Sequence, residues 1–177
     1  RDFTGAPVLD LAIGEYTLSI DGSADATGNY AFRLLDLADA KPLTLGERIA
    51  ANNPGKQTDL YSFDVTAGQS FYFDAQSLTG GDASWRLLGP DGEQERAPAN
   101  ISDSGVFSLG RTGKYTLSLE ARDSNATAID YAFTLSRVTQ QIAPIVLGQT
   151  LVGEIDLAGN TDSYDFTLAA NARVVFD

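Results

Sequence analysis

Apolar and polar side chains alternate with a period of two along most of the chain. Within residues 14–20, Tyr16, Leu18 and Ile20 fall on one face while Thr17 and Ser19 take the other. Tyr61, Phe63 and Val65 alternate with Ser62 and Asp64, and Phe71 and Phe73 bracket Tyr72. Tyr115, Leu117 and Leu119 bracket Thr116 and Ser118, and Ile129, Tyr131, Phe133 and Leu135 continue the pattern. One buried and one solvated face per strand is the signature of antiparallel sheets. Turn-forming clusters separate the runs: Asn53-Pro54-Gly55, Ala67-Gly68, Gly80-Gly81, Pro90-Asp91-Gly92 and Thr112-Gly113. They recur at roughly 10-residue intervals, the spacing of a sandwich or barrel. Residues 43–51 would pass for a short helix, but the matching stretch 147–155 carries Gly148, Gly153 and β-branched residues, so strand and bend are expected. The pattern predicts an all-β protein with at least one complete antiparallel sandwich.

The alternating runs also recur. Gly14-Glu15-Tyr16-Thr17-Leu18-Ser19-Ile20 returns 99 residues later as Gly113-Lys114-Tyr115-Thr116-Leu117-Ser118-Leu119, and Tyr30-Ala31-Phe32 returns 101 later as Tyr131-Ala132-Phe133. Pro42-Leu43-Thr44-Leu45-Gly46 returns 102 later as Pro144-Ile145-Val146-Leu147-Gly148. Asp59-Leu60-Tyr61-Ser62-Phe63 returns 103 later as Asp162-Ser163-Tyr164-Asp165-Phe166. The kept order and slow drift are what small loop insertions produce, and a unit of about 100 residues is the size of one β-sandwich. Residues 39–138 therefore form one complete module. Residues 1–38 correspond to the closing strands of a preceding module, and 139–177 to a linker and the opening strands of a following one. Three or four strands without their partner sheet expose apolar faces and open edges. The two flanks are accordingly expected either to bury each other, as a second, split sandwich with the complete module inserted, or to remain frayed. The linkers 39–42 and 140–144 are short and each ends in Pro, which predicts semi-rigid joints. The opening Arg1-Asp2-Phe3, without initiator Met, reads as a processed or excised terminus.

Composition narrows the function. Among 177 residues there is no Cys and no His, so thiolate and imidazole chemistry are excluded, including a Ser-His-Asp triad and His-built zinc sites. A net charge of −12 and a pI near 4.2 argue against nucleic acid and anionic membranes as partners. No apolar run approaches a membrane span. Carboxylates are plentiful, yet nothing in the sequence sets a raised-pKa acid opposite a nucleophile as glycoside hydrolysis needs, so a non-enzyme is expected.

Asp59-Leu60-Tyr61-Ser62-Phe63, Ala67-Gly68-Gln69, Leu87-Leu88-Gly89-Pro90-Asp91-Gly92 and Thr112-Gly113-Lys114-Tyr115-Thr116-Leu117, in that order and spacing, resemble the bacterial pre-peptidase C-terminal domain. The resemblance covers 43–138 and, in halves, both flanks. It implies a jelly-roll-like β-sandwich of the kind carried by secreted bacterial proteases and collagenases and arrayed on large exported surface proteins. Members often bind calcium, and some bind collagen or polysaccharide. No acidic linker precedes the module at 36–43, a departure from the collagen-binding members.

Calcium needs several oxygen ligands converging from loops. The candidates are Asp59 at a strand start, Asp82 after Gly80-Gly81, and Asp91 in the Pro-Asp-Gly turn. The last two sit where the family often carries acids. Pro90-Asp91-Gly92 reads equally well as a plain turn, and the acidic stretch 21–29 reads as a solvated hairpin loop. For ligand recognition the candidates are Tyr72, on the face opposite Phe71 and Phe73, with Gln76 and Arg86. Trp85, the one tryptophan, is a candidate sugar platform or a core residue.

The expected function is a non-catalytic repeat of a large bacterial secreted or surface protein, serving adhesion and spacing. Glycans, protein surfaces and neighbouring modules are its expected partners, and calcium its expected ion. The alternative is an accessory binding domain excised from a secreted hydrolase.

Overall fold

A computed structural model describes residues 8–22 and 24–177; the opening Arg1-Asp2-Phe3 lies outside them. Eleven strands follow in order: β1 (Lys41–Pro42), β2 (Arg48–Asn53), β3 (Thr58–Val65), β4 (Ser70–Thr79), β5 (Ala83–Leu88), β6 (Gln94–Asn100), β7 (Phe107–Ser108), β8 (Gly113–Ala121), β9 (Ile129–Val138), β10 (Gln140–Pro144) and β11 (Thr161–Asp165). Strands β1-β3-β8-β5-β6 make a five-stranded sheet and β2-β9-β4-β7 a four-stranded one. The pairs are antiparallel except β1–β3, and the two sheets face each other across one apolar core. Residues 43–51 are turn followed by strand, as their glycine-bearing counterpart predicts.

The alternation places the core. Tyr61, Phe63 and Val65, then Phe71 and Phe73, then Tyr115, Leu117 and Leu119, then Ile129, Tyr131, Phe133 and Leu135 all point inward and are buried. Between the sheets the rings interlock: Trp85 stacks on Phe73 at 4.4 Å and 10°, Phe73 on Phe133 at 5.0 Å and 19°, and Phe133 on Tyr131 at 6.2 Å. Edge contacts of Tyr61 with Phe133 and of Phe63 with Phe71, both at 5.6 Å, tie the five-stranded sheet into the same stack. Such pairs contribute about 0.5–1.5 kcal/mol beyond simple burial. The turns hold by backbone necessity: Gly80 has φ +86°, and a Cβ there would lie 2.4 Å from the Ala128 carbonyl oxygen.

The chain joins the sandwich midway along β3 and leaves at the end where β3 finishes. Asp36 caps a single 3-10 turn over Leu37–Asp39 by accepting the Ala38 N–H at 2.9 Å. β1 then runs parallel to β3, pairing Lys41 with Tyr61, with Pro42 on a sheet edge where its missing N–H costs no ladder bond. β9 ends at Val138, opposite Ser70 at the start of β4 and so at the end where β3 finishes, about 14 Å along the strand from the level of Tyr61. The second linker is not a bare joint: it becomes β10, paired in parallel with β11 through residues 140–144 and 161–165.

Among the described residues, no strand pairing joins the two flanks. Among the described residues, 8–36 contain no strand, and β11 pairs with β10 instead of with 14–20 or 30–34. The expected hairpin loop at 21–29 therefore has a turn at Ala24-Asp25 but no flanking ladder. The reason is visible in the complete module, where each corresponding strand is held by neighbours that the flank lacks.

Removing Trp85 takes away the stacked ring that the five-stranded sheet contributes, whereas Tyr72 stands on the outer face. Trp85→Ala is expected to lower stability by about 3–5 kcal/mol and Tyr72→Ala by no more than about 1 kcal/mol in urea unfolding followed by circular dichroism. Equal losses would contradict this placement of the core.

Candidate functional site

The six residues singled out from the sequence occupy separate places. Trp85 faces inward and is 2% exposed, its ring covered on one side by Phe73 and approached by the Arg96 guanidinium at 5.4 Å. It is a core residue rather than an exposed platform. Arg86, next on the same strand, points to the outer face of the five-stranded sheet and is also buried. Its Nη2 donates to Glu120 Oε2 at 2.6 Å and its Nε lies 2.5 Å from Oε1. Ser118 donates to the same carboxylate at 2.9 Å. Tyr72 belongs to the four-stranded sheet and faces outward on the opposite side of the sandwich. The shallow surface expected from Tyr72, Gln76 and Arg86 together is thus excluded by the two-sheet geometry.

The three aspartates proposed for calcium do not converge. Asp82 and Asp91 flank the six-residue β5 at its two ends, about 20 Å apart in extended chain. Asp91 Oδ2 is held by Arg111 Nη1 at 2.6 Å, and the same guanidinium takes Glu95 Oε1 at 2.5 Å. Asp82 makes its recorded bonds through its backbone: its N–H donates to Asn125 Oδ1 and its carbonyl accepts from Asn125 Nδ2. Asp59 is the most enclosed. Its Oδ2 accepts from Tyr131 OH and from Asn53 Nδ2, both at 2.9 Å, while Lys41 Nζ stands 3.5 Å from Oδ1. Among the described residues, no three acidic side chains gather where they could hold a metal ion. Donors already committed to arginine, tyrosine and asparagine do not fit one calcium site.

Two groupings were hidden from the sequence. The first is the relay beneath Asp59. Tyr61 and Tyr131, on facing sheets, share a 2.6 Å hydrogen bond, and since Tyr131 donates onward to Asp59, Tyr61 is the donor between them. Burial, the largest cause, raises both phenols above the ordinary phenolic range, Tyr131 the further, with the Asp59 charge adding to each. The second lies on the outer face of the four-stranded sheet. Here half-buried Tyr72 is joined by Asp74, Gln76 and Asp103. Gln76 Nε2 donates to Asp74 Oδ2 at 3.1 Å and to Thr134 Oγ1 at 2.9 Å, and Asp103 Oδ1 accepts the Ala75 N–H at 2.9 Å. Desolvation first, and then Asp103, raise the Tyr72 phenol. This patch sets an aromatic edge beside carboxylate and amide oxygens. Period-two alternation could place Tyr72, Asp74 and Gln76 on one face, but Asp103 and Thr134 arrive through strand pairing and a loop.

No family model matches the chain, and no curated protein matches it. Among solved structures, the chain is similar to PliG, a periplasmic inhibitor of g-type lysozyme from Aeromonas hydrophila (16% identity, covering 54% of this chain and 93% of that one, TM-score 0.43). It is similar to the pre-peptidase C-terminal domain of collagenase from Bacillus anthracis (20% identity, 55% of this chain and 95% of that one, TM-score 0.45). A third likeness is to a carbohydrate esterase family 2 enzyme with a carbohydrate-binding domain from Corynascus thermopiles (16% identity, 66% and 45%, TM-score 0.31). At such TM-scores the likenesses carry no argument about what this chain does.

The tyrosine relay has a pH signature. Unfolded tyrosines ionise near pH ~10, while Tyr61 and Tyr131 stay protonated in the fold to higher pH, so the unfolded state binds fewer protons there. Stability is fully present below that pH and falls above it, by about 1.4 kcal/mol per pH unit for each tyrosine held protonated. Urea unfolding across the alkaline range should show this slope, and Tyr131→Phe should reduce it. An unchanged slope in the variant would disprove the relay.

Proposed function

We propose that this chain supplies a non-catalytic β-sandwich unit to a larger exported bacterial protein, where it spaces and adheres. The observation that carries the reading is the chain path. Polypeptide joins the sandwich beside Tyr61, midway along β3, and leaves beyond Val138 at the end where β3 finishes, so the sandwich lies in series with its flanking segments. Tension between the ends would run along β9, which is bonded on both sides to β2 and β4. All those ladder bonds are then loaded together in shear rather than peeled one by one. The interior supports the same reading, because the space between the sheets is filled by stacked rings. The nearby carboxylates Asp59, Asp91, Glu95 and Glu120 are engaged in structural pairs.

A second reading concerns adhesion itself. The Tyr72, Asp74, Gln76 and Asp103 patch combines a partly exposed ring with fixed oxygen and amide groups, the combination that recognises a sugar's apolar face and its hydroxyls. An extracellular glycan is the partner this chemistry fits.

Two measurements test these readings. Because the chain has no native cysteine, Asp39→Cys and Thr139→Cys give unique handles. Pulled between them, the sandwich should resist and then release in one step with a gain on the order of 300 Å. Gradual lengthening at low force would rule out the spacer. On a glycan panel, retention should be lost in Tyr72→Ala and kept in a variant of the opposite sheet face, Lys114→Ala. No retention of the wild-type chain by any glycan would remove the second reading.

A further inference from the structure

The way the chain joins the sandwich is repeated where it leaves. β10 holds the counterparts of β1, 102 residues on, and β11 those of residues 58–62 in β3, 103 residues on. β1 runs parallel to β3 with Lys41 beside Tyr61 and Pro42 beside Ser62. β10 runs parallel to β11 with Ala143 beside Tyr164 and Pro144 beside Asp165, the same register pair for pair. The bond that follows is also the same: the Leu43 N–H donates to the Ser62 carbonyl at 2.8 Å, and the Ile145 N–H to the Asp165 carbonyl at 2.9 Å. The preceding turn recurs too, with Lys56 at φ +58° and its counterpart Gly159 at φ +88°. Each linker is thus built into the segment that follows it.

In both places the turn is bonded back to the chain that precedes it. Arg33 donates through Nη1 to Gln57 Oε1 and through Nη2 to the Thr58 carbonyl at 3.3 Å. At the counterparts Asn160 and Thr161, the Thr139 N–H donates to Asn160 Oδ1 at 2.9 Å, and the Thr161 N–H donates to the Thr139 carbonyl at 3.4 Å. Thr139 is the one residue between β9 and β10. The position where the chain could swivel therefore has its N–H and its carbonyl both taken by the turn. The rest of the turn seats beside it. Leu157 comes within 3.8 Å of where a Cβ on Gly46 would stand, and a Cβ on Gly159 would lie 2.7 Å from Tyr72 Cβ. Leu157, Gly159 and Asn160 are half-buried, whereas 146–156 and 164–177 are exposed.

We propose that the turn at 157–161 is a clasp that closes the hinge at Thr139 and holds the following segment at one fixed angle to the sandwich. Stiffness then comes from these contacts rather than from the linker prolines, which lie inside β1 and β10 and away from the hinge. A neutral hydrogen bond contributes only about 1 kcal/mol. Turn and hinge belong to one chain, however, so they meet at the millimolar effective concentration of a short tether. The bonds at Thr139 join uncharged groups, so the acidity of the chain does not oppose them. Glycine at 159 fits because the backbone is left-handed there and lies against the Tyr72 ring. A fixed joint gives a spacer its direction, and in that use it rests on the spacer reading. A free joint would nevertheless leave the resistance of the sandwich to force unchanged, so the two fail separately.

Nuclear magnetic resonance of the full chain tests the clasp at two points. In wild type the Thr139 amide should be protected from hydrogen exchange, and the amides of β10 and β11 should tumble with the sandwich. Asn160→Ala removes the acceptor and should speed Thr139 exchange about tenfold. Asn160→Asp keeps an acceptor oxygen and should keep the protection. Gly159→Val combined with Asn160→Ala forces the turn off Tyr72, and β10 and β11 should then tumble faster than the sandwich, whose melting temperature stays that of wild type. Free exchange at Thr139 in wild type would overturn the proposal. So would independent tumbling of β10 and β11 in wild type, or common tumbling retained in the double variant.

Discussion

The contact between Trp85, Phe73 and Phe133 is what the rest of the sandwich depends on. Trp85 comes from the five-stranded sheet and the other two from the four-stranded sheet, and the near-parallel rings leave no room for either sheet to shift against its partner. Close packing of this kind fixes the spacing and angle of the layers, and with them everything outside. β4 must present Phe71 and Phe73 inward, so Tyr72, Asp74 and Gln76 are forced outward together. β5 must present Trp85 and Leu87 inward, so Arg86 is forced to the opposite surface. The polar residues of the two outer faces are separated by the thickness of the core, and no rearrangement short of unfolding brings them together.

The same constraint governs the charged groups. A guanidinium as buried as that of Arg86 is tolerable only with a carboxylate beside it, and leaving one partner alone costs about 3–5 kcal/mol. Glu120 meets that need because β8 pairs with β5 in a register that sets it opposite Ser84, two residues from Arg86 and on the same face. Asp59 likewise ends the tyrosine relay whose two members come from facing sheets. These acids are structural counterparts of buried donors, which leaves their oxygens poorly placed for a hard cation that wants six or more of them.

How much of this was legible in the sequence follows from how local each feature is. Tyr61, Phe63, Tyr115 and Phe133 could be assigned to the core because alternation is a property of neighbouring residues, and the all-β class followed. Trp85 stayed open between core and platform, since alternation does not say what faces it across the gap. Arg86 was assigned to the wrong surface company because its partner lies 34 residues away in sequence, through pairing that no local pattern encodes. Asp82 and Asp91 were grouped by being near one strand, yet a strand separates its two ends as effectively as it joins them. Asp103 went unnoticed because it reaches Tyr72 from a loop.

The flanks show the limit of alternation most directly. Residues 14–20 and 113–119 share nearly the same sequence, yet only the second is a strand. Intrinsic preference is therefore the same in both, and the difference lies in the neighbours: β8 has β3 on one side and β5 on the other, while 14–20 has neither. A strand's ladder bonds and its buried face are both supplied from outside it, so a pattern specifies a strand only where a complementary pattern is within reach. It follows that the apolar face of 14–20 specifies a partner as much as a shape.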